Sequence, residues 1–367
     1  MKRIAILGAT GSIGRTALSV IRSRSDLNLQ VVSLSSHNNK DELLRVSNEF
    51  HCEAVCLTGQ VSETSYSGYD GLVAMLNEHP VDIVLNGIAG FDGLKASVAT
   101  LQAGYDLALA NKESVVCGGE LLFAMAKKHH AAIIPVDSEH SAIYELLKGR
   151  ERGEIESVIL TASGGPFRTR DLSTFDSITV RDALAHPTWQ MGKKISIDSA
   201  TMANKALEVI EASFLFGFSP KQIEVVIHPQ SIIHSMIRTR DGALYAQLGN
   251  PNMSLPIINA LTGMSSNLVK PLSFDDLSLT FDRIDYKRFP LLECGYAALN
   301  DQGGYPLAFN AANEVAVHAF LEEEISYPKL IEVVQRTLEK DWSQTPTSVD
   351  EIIALDEQVR AFSKELL

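Results

Sequence analysis

The chain has few cysteines. Cys52, Cys56, Cys117 and Cys294 are too scattered for a disulfide framework. Cys52 and Cys56 lie close, but one i,i+4 pair suits a small core position better than a metal. Long apolar runs are also missing: no segment reaches the ~20 residues that a membrane helix needs. Basic charge is in deficit, with 32 Lys+Arg against 45 Asp+Glu and a net charge of −13. That balance argues against nucleic acid or an anionic membrane as the main partner, although local groups can still hold one small phosphate. Repeats and low-complexity tracts are absent, and Met1-Lys2-Arg3-Ile4 runs into a strand without a signal-peptide pattern. A reduced, cytoplasmic setting is expected. The 367 residues exceed what one core usually holds, so two or three domains are expected.

What is present begins with Arg3–Leu7, a short apolar strand, followed by Gly8-Ala9-Thr10-Gly11-Ser12-Ile13-Gly14 and a helical run to about Arg24. A glycine-rich strand-to-helix turn lets backbone N–H groups approach a pyrophosphate at the helix's positive end. The second strand, Leu29–Leu34, leads to Ser35-Ser36-His37-Asn38-Asn39-Lys40. An NAD site usually places an acid there; its absence removes repulsion of a 2′-phosphate and favours NADPH. Strands at 53–58, 82–88, 106–110 and 131–136 alternate with helices at 94–103 and 120–128, while 61–70 reads as a surface loop. The alternation predicts a doubly wound parallel sheet. Asn111-Lys112-Glu113-Ser114 follows the 106–110 strand, as a cofactor or substrate contact or as a capping turn with a solvated lysine.

Asp137-Ser138-Glu139 stands between the apolar run 131–136 and a helix from Ala142. Carboxylates at i and i+2 of an extended segment share a side, and oxygen-only ligation suits Mg²⁺ or Mn²⁺. The same residues also make an ordinary helix cap with an acidic first turn. Farther on, Ala162-Ser163-Gly164-Gly165-Pro166 permits close backbone approach by a ligand. His186-Pro187-Thr188-Trp189-Gln190-Met191-Gly192-Lys193-Lys194 is a loop carrying Trp and Met, suited either to closing over a substrate or to core packing. Ile195–Ile197 reads as a strand, and Asp198-Ser199-Ala200-Thr201 opens a helix from Met202 to about Phe216. On that helix Asn204, Lys205, Glu208 and Glu211 share a face, which is either solvated or a phosphate and carboxylate site completed by Ser199. Strands at 224–227, 231–237 and 243–248, with a hairpin signal at Arg240-Asp241-Gly242, make the middle α+β. Helices at 307–323, 329–340 and 349–364 close the chain.

Taken together, the stretches GATGSIG, ALANKESVVCGG, PVDSEHSAI, LTASGGPF, HPTWQMGKKISIDSATMANKALEVIEA and FNAANEVAV closely resemble the 1-deoxy-D-xylulose-5-phosphate reductoisomerase family of the non-mevalonate isoprenoid pathway. They cover most of the chain in the family's order. The resemblance implies a homodimer whose subunit has an NADPH-binding Rossmann-like domain (1–137), an α+β catalytic and dimerisation domain (138–262), a linker (263–288) and a helical domain (289–367). It implies Asp137, Glu139 and Glu208 as ligands of Mg²⁺ or Mn²⁺. It places Lys112, Ser138, Glu139, Ser163, His186, Trp189, Ser199, Asn204, Lys205 and Glu208 around the sugar phosphate. Thr10, Gly11, Ser12, Ile13, Asn111, Glu113 and Gly192 fall on the nucleotide, with His37, Asn38 and Asn39 where many members carry a basic residue for the 2′-phosphate.

The implied reaction rearranges 1-deoxy-D-xylulose 5-phosphate and reduces it with NADPH to 2-C-methyl-D-erythritol 4-phosphate. Lys112, Glu139 and His186 are the expected catalytic groups. The alternative enzyme is a metal-independent NADP-dependent semialdehyde or homoserine-type dehydrogenase using Cys117, which would need a positioned base that the neighbouring residues do not supply. A catalytically silent NADPH-binding regulator would have no need of the carboxylates.

Overall fold

The computed structural model describes residues 1–59, 64–263, 269–275 and 277–367. The described strands are β1 (Lys2–Leu7), β2 (Leu29–Ser36), β3 (Ala54–Leu57), β4 (Tyr66–Ser67), β5 (Ile83–Asn86), β6 (Asp106–Leu109), β7 (Ile133–Pro135), β8 (Ile155–Ala162), β9 (Ile223–Ile227), β10 (Ile233–Thr239) and β11 (Leu244–Leu248). The helices up to the end of the second sheet are α1 (Ser12–Ser23), α2 (Lys40–Phe50), α3 (Gly68–Glu78), α4 (Asp92–Gln102), α5 (Lys112–Lys128), α6 (Ser138–Leu147), α7 (Val180–Leu184), α8 (Lys193–Thr201) and α9 (Ala203–Phe216). After it come α10 (Ser254–Thr262), α11 (Pro290–Asp301), α12 (Tyr305–Leu321), α13 (Tyr327–Leu338) and α14 (Val349–Glu365).

The chain packs as two compact units. The first comprises Met1–Val115, Gly119–Ser141 and Asn252–Lys270. Its sheet is parallel throughout, in the order β4-β3-β2-β1-β5-β6-β7. Alternation along β1 shows why both faces are covered. Ile4 and Ile6 join Ala17 and Leu18 of α1, Leu43 of α2 and Ile257 of α10, whereas Ala5 and Leu7 join Met75 of α3 and Ala99 of α4. Each such fully buried Ile or Leu contributes roughly 1.5–3 kcal/mol. Chain order reverses at β1, so the turn after it lies at the sheet's switch point, where α/β folds bind ligands.

The second unit comprises Val116–Gly118, Ala142–Pro251 and Pro271–Leu367. Its sheet runs β11-β10-β8-β9, with β8 parallel to β9 and the other pairs antiparallel. The 240–242 turn closes the β10–β11 hairpin, with Gly242 at φ +89°. Val158 and Leu160 of β8 pack on a core built from α9, α11, α12 and α13. Gly295 of α11 sits so close to α9 that an added Cβ would lie 2.5 Å from the Ala206 Cβ.

Two local expectations differ from the fold. Ile195–Ile197 is not a strand but the middle of α8, and Asp198-Ser199-Ala200-Thr201 ends that helix instead of opening the next one. A three-residue apolar run fits either period, and the i,i+4 Lys194–Asp198 ion pair at 2.9 Å forms only when the segment is helical. The segment 61–70, expected as a loop, contributes β4 and the start of α3; residues 61–63 of it lie outside the described residues. No helix among the described residues is long and apolar enough to cross a membrane.

Candidate active site

In the first unit, the turn after β1 is made by two glycines that nothing larger replaces. Gly8 adopts φ +78°, and a Cβ there would come within 2.9 Å of the Gly87 carbonyl. A Cβ on Gly14 would lie 2.5 Å from the Ala9 Cα and the Gly8 oxygen. Helix α1 starts at Ser12 with Gly11 as N-cap and no side-chain cap, so its first N–H groups are the bare positive end of the helix. The end of β2 braces this turn: Ser35 Oγ accepts from Gly8 N at 3.2 Å, and the hydroxyls of Thr10 and Ser36 lie 2.7 Å apart. Ile13 packs on Gly87, whose added Cβ would meet it at 3.1 Å. His37, Asn38 and Asn39 are exposed beyond β2. Asn39 spends its side-chain oxygen on capping α2 through Glu42 N, while His37 and Asn38 pack over Gly59.

At the end of β6, buried Asn111 caps α5 by accepting from Ser114 N at 2.9 Å. Its amide donates to Gly90 O at 2.9 Å and to Glu113 Oε2 at 2.8 Å. Ser114 reaches Ser97, and Asn86 of β5 donates to Ser97 Oγ at 2.9 Å and Gly93 O at 2.8 Å. This buried chain bolts the β5 and β6 turns together and holds Lys112, the first residue of α5, in a fixed place. Lys112 forms an ion pair with Asp137, just past β7. Asp137 contributes its main-chain carbonyl to α6, accepting from Ser141 N at 2.8 Å. Burial opposes the charge on Asp137, but the Lys112 ammonium, with His140 beyond it, holds the carboxyl well below the usual carboxylate range. Ser138 Oγ donates to Glu139 at 2.6 Å. Cys117 is buried in α5, as a structural cysteine would be.

In the second unit, β8 delivers Ser163 beside the His186 ring, with Oγ 3.0 Å from Nε2. Nδ1 of the same ring accepts from the backbone N–H of Thr188 at 3.1 Å and of Trp189 at 2.8 Å. Two donors on Nδ1 leave the ring hydrogen on Nε2, donated to Ser163. Burial lowers the His186 pKa, which keeps this neutral tautomer. Ser163 Oγ also accepts from Gly165 N at 3.2 Å. With two donors pointing at its oxygen, the Ser163 hydrogen is left to give to an acceptor such as a phosphate oxygen. The Trp189 ring is half-buried, with its centroid 6.4 Å from that of His234, and Thr188 leans on the Pro229 carbonyl.

Gly192 caps α8, Ser199 lies in its last turn, and Met202 in the left-handed region separates it from α9. On α9, Glu208 is 1% exposed and Lys205 3%. Asn204 Nδ2 and Lys205 Nζ each reach a different oxygen of Glu208 at 2.5 Å. That face is therefore not solvated, and the Lys205–Glu208 pair is no weak surface bridge.

The first unit thus presents the carboxylates Asp137 and Glu139, with the His140 imidazole near Asp137, and the second presents Glu208. This chemistry fits Mg²⁺ or Mn²⁺ and not a thiolate-loving metal. The uncapped α1 end and its tight glycine turn fit a pyrophosphate. Sequence reasoning missed Asn86, Ser97, Lys194, Asp198 and Asn313. For the last of these the signal was available in the FNAANEVAV stretch, a polar pair inside an apolar helix.

Three family profiles match: 1-deoxy-D-xylulose 5-phosphate reductoisomerase over residues 4–119, its C-terminal domain over 133–216, and the DXP reductoisomerase C-terminal domain over 248–362. The 1-deoxy-D-xylulose 5-phosphate reductoisomerase of Treponema denticola is 44% identical, aligned over 99% of this chain and 96% of that protein. The Bacteroides fragilis protein of the same name is 44% identical over 100% and 98%. Among solved structures, a DOX-P reductoisomerase in complex with NADPH, fosmidomycin and magnesium is 36% identical with a TM-score of 0.92, covering 100% of this chain and 98% of that one. The Zymomonas mobilis enzyme in complex with NADPH gives 36% and 0.90 with the same coverage. With matches of this extent at both levels, the chain belongs to the 1-deoxy-D-xylulose 5-phosphate reductoisomerase family.

Proposed function

We propose that this protein rearranges 1-deoxy-D-xylulose 5-phosphate and reduces it with NADPH to 2-C-methyl-D-erythritol 4-phosphate, in isoprenoid precursor synthesis, with Mg²⁺ or Mn²⁺ as cofactor. The observation that carries the reading is the near-complete alignment with proteins named as reductoisomerases, two of them solved in complexes that hold NADPH, one of these with magnesium as well. Asp137, Glu139 and Glu208 are the cation's ligands in this reading. When bound, the cation supplies a Lewis acid for neighbouring carbonyl and hydroxyl oxygens of the ketose.

The chain's own groups do the rest. Ser163, Ser199, Asn204 and Lys205 hold the phosphate, whose binding energy positions the reacting carbons. Lys112 donates to a substrate oxygen, Ser138 holds a hydroxyl, and Glu139 moves a proton. His186 orients Ser163, and Trp189 covers the sugar and excludes water. Thr10, Gly11, Ser12 and Ile13 hold the pyrophosphate, Asn111, Glu113 and Gly192 the remainder of the nucleotide, and His37, Asn38 and Asn39 the 2′-phosphate by neutral donors. We assign the protein to the cytoplasm as a homodimer. Its domains in this reading are the NADPH-binding 1–137, the catalytic 138–262, the linker 263–288 and the helical 289–367. A thiol dehydrogenase is disfavoured by the burial of Cys117.

One assay tests the reading: NADPH oxidation on addition of 1-deoxy-D-xylulose 5-phosphate, abolished by EDTA and restored by Mg²⁺ or Mn²⁺. Turnover that persists in EDTA, or none with metal present, would overturn it.

A further inference from the structure

Asp198, 1% exposed, sits in the middle of α8, where nothing in the reaction calls for it. One of its oxygens accepts from Asn313 Nδ2 at 2.7 Å, and the other pairs with Lys194 Nζ at 2.9 Å. Asn313 belongs to α12, 115 residues later, and is fully buried, as is Asn310 one turn before it. Its side-chain carbonyl has no hydrogen-bond partner among the described residues. An amide so placed costs free energy unless its bond to Asp198 offsets the desolvation. A second tie joins the same elements: Tyr327 Oη of α13 donates to Ala200 O at 2.9 Å. On the other side of α8, a Cβ on Gly165 would fall 2.7 Å from Ser199 O, so the Ser163–Gly165 turn is seated directly on this helix.

Helix α8 also begins awkwardly. Lys193 and Lys194 occupy its first turn with no acidic residue there, which places two cations at the positive end of the helix. Asp198, one turn on, pairs with Lys194. The same first turn is where the 186–192 loop ends.

We propose that Asn313 is a positioning residue for the substrate phosphate and the covering loop: it fixes Asp198, which in turn holds Lys194 at the loop's root and Ser199 at the other end of α8. The helical region thereby takes part in substrate binding without touching substrate. The inference rests on the assignment of Ser199 and the 186–193 segment to substrate binding. Because Asn313 acts through a charged partner, its loss is expected to cost about tenfold.

The test compares Asn313→Leu, Asn313→Asp and the exchange Asp198→Asn/Asn313→Asp. KM is measured for 1-deoxy-D-xylulose 5-phosphate and for NADPH, along with tryptic cleavage after Lys193 and Lys194 in substrate-free protein. Asn313→Leu should raise the substrate KM about tenfold, leave the NADPH KM within about twofold, and speed cleavage. Asn313→Asp, which sets two carboxylates face to face, should be worse. The exchange restores an amide–carboxylate bond between α8 and α12 but not the Lys194 ion pair, so the substrate KM should fall well below that of Asn313→Asp while cleavage after Lys193 and Lys194 stays fast. Equal rises in both KM values, unchanged cleavage, or an exchange no better than Asn313→Asp would each overturn the proposal. If Asn313→Leu does not fold, the Asn313→Asp and exchange pair decides, and failure of the exchange to fold counts against it. The cleavage arm needs no substrate, so an inactive parent protein would sink the proposed reaction and leave this result readable.

Discussion

Replacing His186 by Phe removes three hydrogen bonds at once: those from Thr188 N and Trp189 N to Nδ1, and that from Nε2 to Ser163. At about 1 kcal/mol each the ceiling is about 3 kcal/mol. Thr188 and Trp189 are only half-buried and regain water, so about 2 kcal/mol is the better figure. If that free energy holds the 186–192 loop in its substrate-ready form, substrate KM should rise about 30-fold. Ser163→Ala removes one of the three bonds, the Gly165 N contact and the proposed phosphate contact, so it should cost more than the about fivefold of the His186 bond alone. The loop itself is read by acrylamide quenching, because Trp342 is buried with its Nε1 on Thr337 O and remains the shielded component. Protonation makes the same cut. Since burial lowers the His186 pKa, the folded loop binds fewer protons than free histidine, whose value is about 6.5. The contribution is thus complete above that value and is lost as pH falls through the folded pKa, where Nδ1 can no longer accept two N–H groups. Trp189 exposure in the parent should grow over that window and be pH-independent in His186→Phe. A His186→Phe protein with unchanged quenching and a substrate KM within twofold of the parent would refute the reasoning.

Gly295→Ala drives a methyl to 2.5 Å from the Ala206 Cβ, and should lower unfolding free energy by about 1–3 kcal/mol in a denaturant titration. Gly14→Val distorts the turn after β1, where even a Cβ lies 2.5 Å from the Gly8 oxygen; NADPH affinity by fluorescence titration should fall at least about tenfold. Glu208→Gln should raise the Mg²⁺ concentration for half-maximal turnover by at least about tenfold while NADPH binding without metal is unchanged. An unaltered metal requirement would remove Glu208 from the ligand set.

Local sequence chemistry marked much of this protein. The glycine turn was legible because Gly8 and Gly14 answer to backbone clashes within a few residues. The alternation of strands and helices followed from periodic burial, and the 240–242 hairpin from its glycine. Asp137, Glu139 and Glu208 were legible as candidates through residue type and family motif. Ile195–Ile197 was misread because three residues carry too little period, and α8 is decided by partners at Asp198, Ala200 and Ser199 that the chain brings from 313, 327 and 165. The state of Lys112 and Asp137 was likewise hidden, since an ion pair between residues 25 apart exists only once β6 and β7 lie side by side.

Sequence alone thus determined the type of most strands and of many helices, the nucleotide turn and the acidic chemistry, all set by interactions within a turn or two of the chain. Tertiary structure decided the tautomer of His186, the charge environment of Asp137 and the tie from Asn313 to Asp198. Those depend on burial and on groups far apart in sequence, and free energies of that kind appear only when the chain is packed.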